Sequence, residues 1–464
     1  MEPVIAVEGG QIRGVTTEGV TACLGIPYAA SPVGFDPPRP VTPWDGVREA
    51  TRLGPTAPQP PYDPPFDVLL ANPITPGDEF LNLNVWTPGG EGLPVMVWIH
   101  GGAFRNGSNA TPAYDGTAFA RDGVVLVGIN YRLGVQGFGV VPDAPSNRGL
   151  LDQIAALRWV RDNIAAFGGD PEQVTIFGQS AGGMSVATLL TIPAAQGLFH
   201  RAIVQSGSAE ATALDSDLAL VTAEVAKRLG VPATAAGFAS VDVAELIAAQ
   251  RQVSVELRAA PDPARWGKTT VSAGGGIMPV LPVIDGELIH QRPLEAIAAG
   301  AAAGVELMAG TTRHEFNLFS VPSGLAAGIT AEMLPLLLLQ RAGLDPALAL
   351  EHTGTPGEIF TAISSNRVFT EPTIRLAEAQ QAAGGTAYVY EFSWESPLEG
   401  LRSCHALELP FVFDTLATAA SPLFGPEPPQ ELADRMHKAW VDFAKTGSPG
   451  WSPYDVTARA IQVF

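Results

Sequence analysis

The sequence predicts an α/β protein in which helices cover both faces of a mostly parallel sheet. Short, unbroken apolar runs at residues 95–99 and 124–129 are typical of strands that are buried on both faces. Apolar residues then recur at spacings of three and four through residues 150–160, which indicates an amphipathic helix. Parallel strands joined by crossover helices produce this alternation, so these three segments predict the fold class.

Later segments repeat the same pattern. Asp170-Pro171 is expected to break the chain after the first helix, because proline cannot continue a helical hydrogen-bond ladder. Further buried strands are predicted at residues 174–177, 202–205, 305–308 and 387–390.

Domain organisation follows from what the sequence lacks. No fixed-period repeat and no polar low-complexity boundary divides the chain, so we predict a single domain over residues 1–464. The Ala- and Leu-rich segments 211–260 and 323–385 are expected to be helical insertions that cap the sheet.

Composition limits the class of protein. A chain that is 46 % hydrophobic and 16 % charged can bury a large core, and 47 acidic against 27 basic residues give a net charge of −20. Such a surface is expected to repel nucleic acid and anionic membranes, although it leaves room for a local basic patch, and no apolar run is long enough to predict a membrane span. The two cysteines, Cys23 and Cys404, are too few for a disulfide scaffold.

Because residues 1–14 lack the basic start and apolar core of a signal peptide, we expect a cytoplasmic location unless a leader was removed. No feature predicts an oligomeric state.

A candidate nucleophile lies at residues 178–182, which read Gly-Gln-Ser-Ala-Gly. The predicted strand at 174–177 leads into this G-x-S-x-G pattern, and a small-residue helical start at 181–190 leads out of it. This is the setting of the nucleophile elbow of α/β-hydrolases, so Ser180 is the predicted nucleophile. The alternative is an ordinary glycine-rich turn capped by Ser180.

Residues 100–104, His-Gly-Gly-Ala-Phe, follow the predicted strand at 95–99. Acyl transfer needs N–H donors aimed at a developing oxyanion, and backbone amides reach it only where side chains do not obstruct. The run of small residues meets this need, and the amide of Ala181, next to the nucleophile, is a further expected donor. By itself, the pentapeptide could also be a flexible glycine turn.

Ordered blocks along nearly the whole chain resemble the type-B carboxylesterases, the cholinesterase-like group that includes bacterial esterases. The blocks are residues 25–29, 83–86, 97–104, 130–134, 149–153, 167–171, 178–182, 205–208 and 439–447. The resemblance implies an α/β-hydrolase fold, a serine esterase activity and oxyanion donors at Gly102, Ala103 and Ala181. It also implies that Ser206 supports the catalytic residues, although a routine strand-end cap explains that serine almost as well.

The catalytic base is predicted to be His405. Hydrolases of this fold order their triad as serine, acid and histidine, so the base should follow Ser180 in the chain. Residues 403–411 resemble the family's histidine loop and follow a predicted strand at 388–392. The alternative is that His405 packs in a partly buried loop beside Cys404. His437 lies in an amphipathic helical pattern and is expected to be a surface or packing residue.

The catalytic acid is predicted to be Glu315, since residues 310–316 follow the strand at 305–308 and resemble the family's acid loop. A buried carboxylate there would fix the imidazole tautomer and stabilise the imidazolium. Alternatively, Glu315 pairs with Arg313. His314 invites a metal interpretation, but no H-E-x-x-H pattern follows it, so no metal is predicted. Glu408 is the second candidate for the acid.

The predicted reaction is two-step acyl transfer on small carboxylic esters, without a metal or an organic cofactor. Hydrolysis of an amide, carbamate or polyester at the same site is an alternative, and so is a catalytically silent binding protein on the same fold. Phe319, Phe360, Phe369 and Trp266 are candidates for the acyl pocket, but core packing explains such aromatic residues as often.

Two departures from the family pattern lie in the first ninety residues. Phe80 stands where many members have a cysteine, so that disulfide is expected to be absent. Residues 35–38, Phe-Asp-Pro-Pro, replace the usual arginine-phenylalanine pair. The salt bridge from that arginine to the acidic pair Asp78 and Glu79 is therefore in doubt, as is any inference about substrate access.

Overall fold

The computed structural model describes residues 2–275, 277–339, 344–418 and 421–464. Its strands alternate with helices, as the apolar pattern predicts. In chain order the strands are β1 (Val4–Val7), β2 (Gly10–Arg13), β3 (Val15–Thr17), β4 (Val20–Pro27), β5 (Val47–Glu49), β6 (Asn82–Thr87), β7 (Leu93–Ile99), β8 (Val125–Ile129), β9 (Gly169–Gln179), β10 (Arg201–Gln205), β11 (Ala213–Leu214), β12 (Val283–Ile284), β13 (Glu306–Thr312), β14 (Ala387–Phe392) and β15 (Gln462–Val463).

Within the described residues, ten of these strands form one sheet in the order β15-β14-β13-β10-β9-β7-β8-β6-β4-β3. Neighbouring strands from β15 to β8 are parallel, whereas β6, β4 and β3 join antiparallel at one edge. Two small sheets, β1-β2-β5 and β11-β12, lie outside it. The predicted α/β class with a mostly parallel sheet is therefore confirmed.

Helices connect these strands. In chain order they are α1 (Phe66–Leu69), α2 (Thr117–Arg121), α3 (Gly134–Phe138), α4 (Arg148–Asn163), α5 (Ala181–Leu189), α6 (Asp215–Leu229), α7 (Ala235–Ala239), α8 (Val243–Ala259), α9 (Pro263–Trp266), α10 (Lys268–Ala273), α11 (Pro293–Ala298), α12 (Asn317–Ser320), α13 (Leu325–Gly328), α14 (Met333–Leu337), α15 (Pro356–Ser365), α16 (Glu371–Ala382), α17 (Leu409–Val412) and α18 (Gln430–Thr446). Among the described residues, none of these helices is long and apolar enough to cross a membrane.

The central strand β7 shows why the buried strands read as continuous apolar runs. Val95, Val97 and Ile99 pack into the core on one face of the sheet. Met96 and Trp98 pack into a second core on the other face. Because helices cover both faces, the strand is buried from Val95 to Ile99, and no polar alternation remains in that part of the sequence.

The predicted break at Asp170-Pro171 is wrong, because β9 begins at Gly169 and continues through Pro171. The pairing with β7 is irregular there: Leu93 faces Gly169, and the next regular pair is Val95 with Val174. Pro171 therefore lies where the ladder is interrupted, so its missing N–H removes no regular hydrogen bond.

The segments predicted as helical insertions contain helices. Helices α6, α7 and α8 fall within residues 211–260, and α13 to α16 fall within residues 323–385. The first segment follows β10 and the second follows β13. The two strands are parallel to each other, so both segments begin at the end of the sheet where the carboxyl ends of the parallel strands lie. That the chain is a single domain stays a prediction.

Candidate active site

Ser180 lies at the sharp turn between β9 and α5, with φ 57° and ψ −125°. Such a conformation is unfavourable for a residue with a side chain and persists only where its surroundings enforce it. Here the close packing of β9, α5 and β7 holds the turn, and the flanking glycines make that packing possible. A Cβ on Gly182 would lie 1.9 Å from the carbonyl oxygen of Ile99, and a Cβ on Gly178 would lie 2.5 Å from the carbonyl carbon of Gly182. The glycines therefore let strand and helix approach closely enough to present the serine.

Backbone hydrogen bonds hold the turn on both sides. The Ser180 amide donates to the carbonyl oxygen of Gln205 in β10 at 2.9 Å, and the Met184 amide donates to the Ser180 carbonyl at 2.8 Å. Ala181 is the first residue of α5. Amides in the first turn of a helix have no partner within it, so the Ala181 N–H is available to an oxyanion beside Ser180.

The loop after β7 is a tight turn that exposes amides. Gly102, Ala103 and Phe104 have positive φ angles of 117°, 56° and 56°. A Cβ on Gly102 would come within 2.0 Å of the Asn106 carbonyl oxygen, so only glycine fits there. Among the described residues, the amides of Gly102 and Ala103 donate to no protein acceptor. They therefore remain free to donate to a substrate oxygen, as expected of oxyanion donors.

A residue that the sequence reasoning missed holds this loop in place. The side chain of Gln59 accepts a hydrogen bond from the Gly107 amide at 2.8 Å and donates to the Gly107 carbonyl at 2.8 Å. The Asn106 side chain donates to the carbonyl of Pro60 at 2.6 Å. No motif marks Gln59, because its role depends on a contact between segments 48 residues apart.

The structure brings His405 and Glu315 into direct contact through Nδ1 and Oε2. The Glu315 side chain is completely buried, and its other oxygen, Oε1, accepts from the Thr312 amide at 2.8 Å and from the Ser206 hydroxyl at 2.5 Å. Both oxygens of this carboxylate therefore accept from donors, which fixes the orientation of the imidazole. The contact of Ser206 agrees with the supporting position that the resemblance implies.

The alternatives for the acid residue have other partners. Arg313 pairs with Glu391 on β14, with 2.6 Å between Nη2 and Oε1, and does not neutralise Glu315. Glu408 is buried and accepts from the Gln205 side chain at 3.3 Å. Burial and the nearby Glu315 charge raise the pKa of Glu408 to about 8. Glu408 is therefore protonated at neutral pH and lacks the negative charge that an imidazolium partner needs.

Two further histidines, His437 and His314, lie outside the candidate triad. His437 in α18 is buried, and its Nδ1 contacts the Val412 carbonyl oxygen at 2.7 Å, which makes it a packing residue. His314 lies beside Glu315, but in the described parts of the chain no three His, Cys, Asp or Glu side chains form a group that could hold a metal ion.

Gln179, the residue before the nucleophile, contacts the base. Its side-chain Nε2 lies 3.1 Å from Nε2 of His405, the nitrogen opposite the Glu315 contact. A neutral imidazole that donates to Glu315 through Nδ1 accepts at Nε2, so the amide of Gln179 is the donor in this pair. The variable position of G-x-S-x-G gave no signal of this contact.

A cavity of about 1350 Å³ opens at the site and is lined by Ser180, His405 and the residues of the oxyanion loop. The rings of Phe319 and Phe369 pack against His405 with centroids 5.2 and 4.8 Å away, and Phe360 also lines the cavity. Trp266 does not line it. That side chain is fully buried, and its Nε1 donates to the Ala260 carbonyl at 2.8 Å.

The acidic pair Asp78 and Glu79, which lacks the family's usual arginine partner, has another arginine nearby. Glu79 pairs with Arg48, with 3.1 Å between Nη1 and Oε1, and this side-chain hydrogen bond lowers the pKa of Glu79. Phe80, at the position of the family's cysteine, is buried in the core, and Cys23 and Cys404 are both free. A buried apolar side chain thus stands where many family members have a cysteine.

Comparisons with known proteins identify the family. The family model described as Carboxylesterase family matches residues 1–330 and 348–459. A para-nitrobenzyl esterase from Bacillus subtilis (strain 168) is 37 % identical over 481 residues, which cover 98 % of this chain and 93 % of that protein. A phenmedipham hydrolase from Pseudarthrobacter oxydans is 32 % identical over 467 residues, which cover 96 % of this chain and 90 % of that protein.

A solved structure agrees with these sequence matches. The crystal structure of a carboxylesterase from Geobacillus stearothermophilus at pH 6.2 superimposes with a TM-score of 0.85 at 38 % identity, and the match covers 99 % of this chain and 96 % of the other. At this identity and coverage the resemblance includes the chemistry as well as the fold. The chain therefore belongs to the carboxylesterase family and is a carboxylic ester hydrolase.

Proposed function

We propose that Ser180, His405 and Glu315 hydrolyse small carboxylic esters through an acyl-enzyme intermediate. The observation that carries the proposal is the contact of His405 with the buried Glu315, at the wall of the cavity that Ser180 also lines. Ser180, Glu315 and His405 come after the carboxyl ends of the parallel strands β9, β13 and β14, which supports a shared site.

In the proposed first step, Nε2 of His405 removes the Ser180 hydroxyl proton and Oγ attacks the ester carbonyl carbon. The Ser180 hydroxyl takes the place that the Gln179 amide holds in the free enzyme. Glu315 stabilises the imidazolium that forms. The amides of Gly102, Ala103 and Ala181 donate to the oxyanion, and the loss of one such donor typically costs about 3–4 kcal/mol of transition-state stabilisation.

His405 then protonates the departing alcohol, which leaves the acyl group on Ser180. Water enters, gives a proton to His405 and attacks the acyl carbon, and the second tetrahedral intermediate releases the acid as His405 returns that proton to Oγ of Ser180. The chemistry needs only these side chains and amides. Hydrolysis of amide, carbamate or polyester bonds passes through the same kind of intermediate, and the mechanism alone does not separate these alternatives from hydrolysis of small esters. Rates on matched ester and amide substrates separate them.

The test is the Ser180→Ala variant with 4-nitrophenyl butyrate. We expect kcat to fall by roughly 10⁴- to 10⁶-fold, because no other group can form the acyl-enzyme. Ser216→Ala, at an exposed position of α6, is the matched control and should retain wild-type turnover. An organophosphate should label the wild type once and Ser180→Ala not at all. Retained turnover or labelling in Ser180→Ala contradicts the proposal, and a wild type that does not react would indicate a silent binding protein.

We also propose that the enzyme acts in the cytoplasm. Its cysteines, Cys23 and Cys404, are both buried and unpaired, which agrees with a reducing compartment. Fractionation of the native host, with esterase activity measured in each fraction, tests this proposal. Recovery of the activity outside the cell would overturn it.

A further inference from the structure

The wall of the active-site cavity carries the opposite charge from the rest of the molecule. The chain has 47 acidic and 27 basic residues. Among the described residues that line the cavity, five are basic and two are acidic: Arg105, Arg258, Lys268, Arg292, Arg367, Asp63 and Glu210. A surplus of basic side chains inside a strongly acidic protein needs a specific explanation.

Both acidic residues of the lining pair with arginines from outside it, and two of the basic residues, Arg292 and Arg367, pair with Glu295 and Glu371. Asp63 accepts from the guanidinium of Arg251, with 2.9 Å between Nε and Oδ1. Glu210 accepts from the guanidinium of Arg375, with 2.8 Å between Nη2 and Oε2. Arg251 and Arg375 are not among the lining residues, so both carboxylates are already paired from outside the cavity.

Arg105 is the lining cation closest in the chain to the oxyanion loop, two residues after Ala103. Its Nε donates to the Asn106 side chain at 2.9 Å, and among the described residues its guanidinium forms no ion pair. Burial, together with the charge of Arg258, lowers the pKa of Arg105 to about 10. The group is therefore charged at neutral pH, and because its side chain is partly buried, water screens that charge incompletely.

Arg258 and Arg251 approach Arg105 from helix α8. The two lie seven residues apart, so they project from one face of the helix. Both act electrostatically on Arg105, as does Asp63. Three guanidinium groups and the carboxylate of Asp63 therefore lie near one another. We call Arg105, Arg251 and Arg258 the arginine cluster; within it Arg251 pairs with Asp63, and Arg105 lines the cavity.

We propose that the arginine cluster binds a carboxylate group of the substrate, so that the preferred substrates are esters that carry a second, free carboxylate away from the scissile bond. The proposal rests on the esterase mechanism above and adds its substrate class. A guanidinium fork matches a carboxylate in shape and binds it through two parallel N–H donors. The distant acidic surface opposes such a substrate only weakly, because salt screens charges more than about 8 Å apart at physiological ionic strength.

The experiment compares charged and neutral esters of matched size. On the acyl side the pair is 4-nitrophenyl hydrogen glutarate and 4-nitrophenyl pentanoate. On the alcohol side it is the butyrate ester of 5-hydroxypentanoate and pentyl butyrate, followed by pH-stat. We expect the wild type to prefer the anionic member of at least one pair by about tenfold or more in kcat/KM, as a charge-assisted hydrogen bond provides.

Arg105→Gln should reduce this selectivity ratio by about 10- to 100-fold, and Arg258→Gln should reduce it in the same direction. Arg105→Lys should retain part of the preference, because it keeps the charge and loses the fork. Arg161→Gln, which removes an exposed arginine paired with its neighbour Asp162, is the control and should leave the ratio unchanged. Circular dichroism melts confirm that each variant is folded.

The outcomes separate this inference from the esterase mechanism. A wild type that hydrolyses neutral esters through Ser180 but shows no preference for either anionic ester overturns the arginine-cluster proposal alone. The same holds for a preference that survives in both Arg105→Gln and Arg258→Gln. Hydrolysis of all four esters by Ser180→Ala instead overturns the esterase mechanism.

Discussion

At the scale of single residues, the site contains two buried carboxyl groups with different surroundings. Glu315 faces His405 and is surrounded by donors from Thr312 and Ser206. Glu408 accepts a hydrogen bond from the Gln205 side chain, and its Oε2 has no partner among the described residues. Hydrogen bonds stabilise a carboxylate and burial destabilises it, and at Glu408 burial outweighs the hydrogen bonding and favours the protonated form.

This difference predicts a pH dependence of stability. Burial raises the pKa of Glu408 from 4.5 to about 8, so between these values the folded state holds a proton that the unfolded state has lost. Its contribution to the free energy of unfolding is complete below pH 4.5 and falls by about 1.4 kcal/mol per pH unit as pH rises towards 8.

Glu408→Gln cannot ionise, so we expect its denaturant midpoint to fall less steeply than that of the wild type between pH 5 and 8. Glu431→Gln, at an exposed position of α18, should keep the wild-type slope. Equal slopes for Glu408→Gln and the wild type would show that Glu408 ionises in the folded state as it does in the unfolded chain.

The sequence contained the signals for the candidate triad but not for its surroundings. Ser180, Glu315 and His405 follow strands in the expected order, and local blocks mark each of them. Gln179 contacts His405 across 226 residues of sequence, and no local pattern encodes a contact between two loops that only the folded sheet brings together. The charge of Arg105 was visible in the sequence, but its place in the cavity was not.

At the scale of secondary-structure elements, the accuracy of the predictions follows from burial. Strands β7, β8 and β10 are buried on both faces and could be located from composition alone. The start of β9 could not, because Pro171 is tolerated only through an irregular register with β7, and register is a property of two strands. The course of the chain after β8 likewise depends on a contact with another element, helix α4, which a local sequence pattern does not encode.

A buried ion pair joins these two elements. Arg132, just after β8, donates to Asp152 of α4 through Nε at 2.8 Å and through Nη2 at 2.7 Å, and the Arg132 amide donates to the same carboxylate at 3.0 Å. The exposed fractions of the two side chains are 1 % and 0 %. Removal of one member of such a pair leaves a buried charge without a counterion.

We therefore expect Asp152→Ala to lower the free energy of unfolding by about 3–5 kcal/mol. Asp162→Ala, on the same helix, removes a carboxylate that is 51 % exposed and pairs with Arg161, and should cost no more than about 1 kcal/mol. Chemical denaturation of both variants checks the prediction. Similar losses for the two would mean that the buried pair contributes no more than a surface pair.

At the scale of the whole molecule, the charge of −20 acts against the compact state. Many exposed carboxylates pair with arginine, as in Arg265 with Glu256 and Arg402 with Glu395. Such surface pairs contribute about 0–1 kcal/mol each, and salt weakens them. The excess of acidic over basic residues is 20, so mutual repulsion among carboxylates remains after every possible pair has formed.

Salt should therefore stabilise the protein at alkaline pH. The Debye length shortens from about 30 Å at 0.01 M to about 10 Å at 0.1 M, which screens repulsion across the surface while the buried Arg132–Asp152 pair is little affected. We expect the Tm at pH 8 to rise by roughly 1–3 °C over this range, the shift that about 1 kcal/mol produces in a chain of this size. Scanning calorimetry at both salt concentrations gives the measurement. The same scans at pH 5 are the control, because carboxylates begin to protonate there and the increment should shrink. A Tm that falls with salt at pH 8 would show instead that attraction within the surface ion pairs outweighs the repulsion.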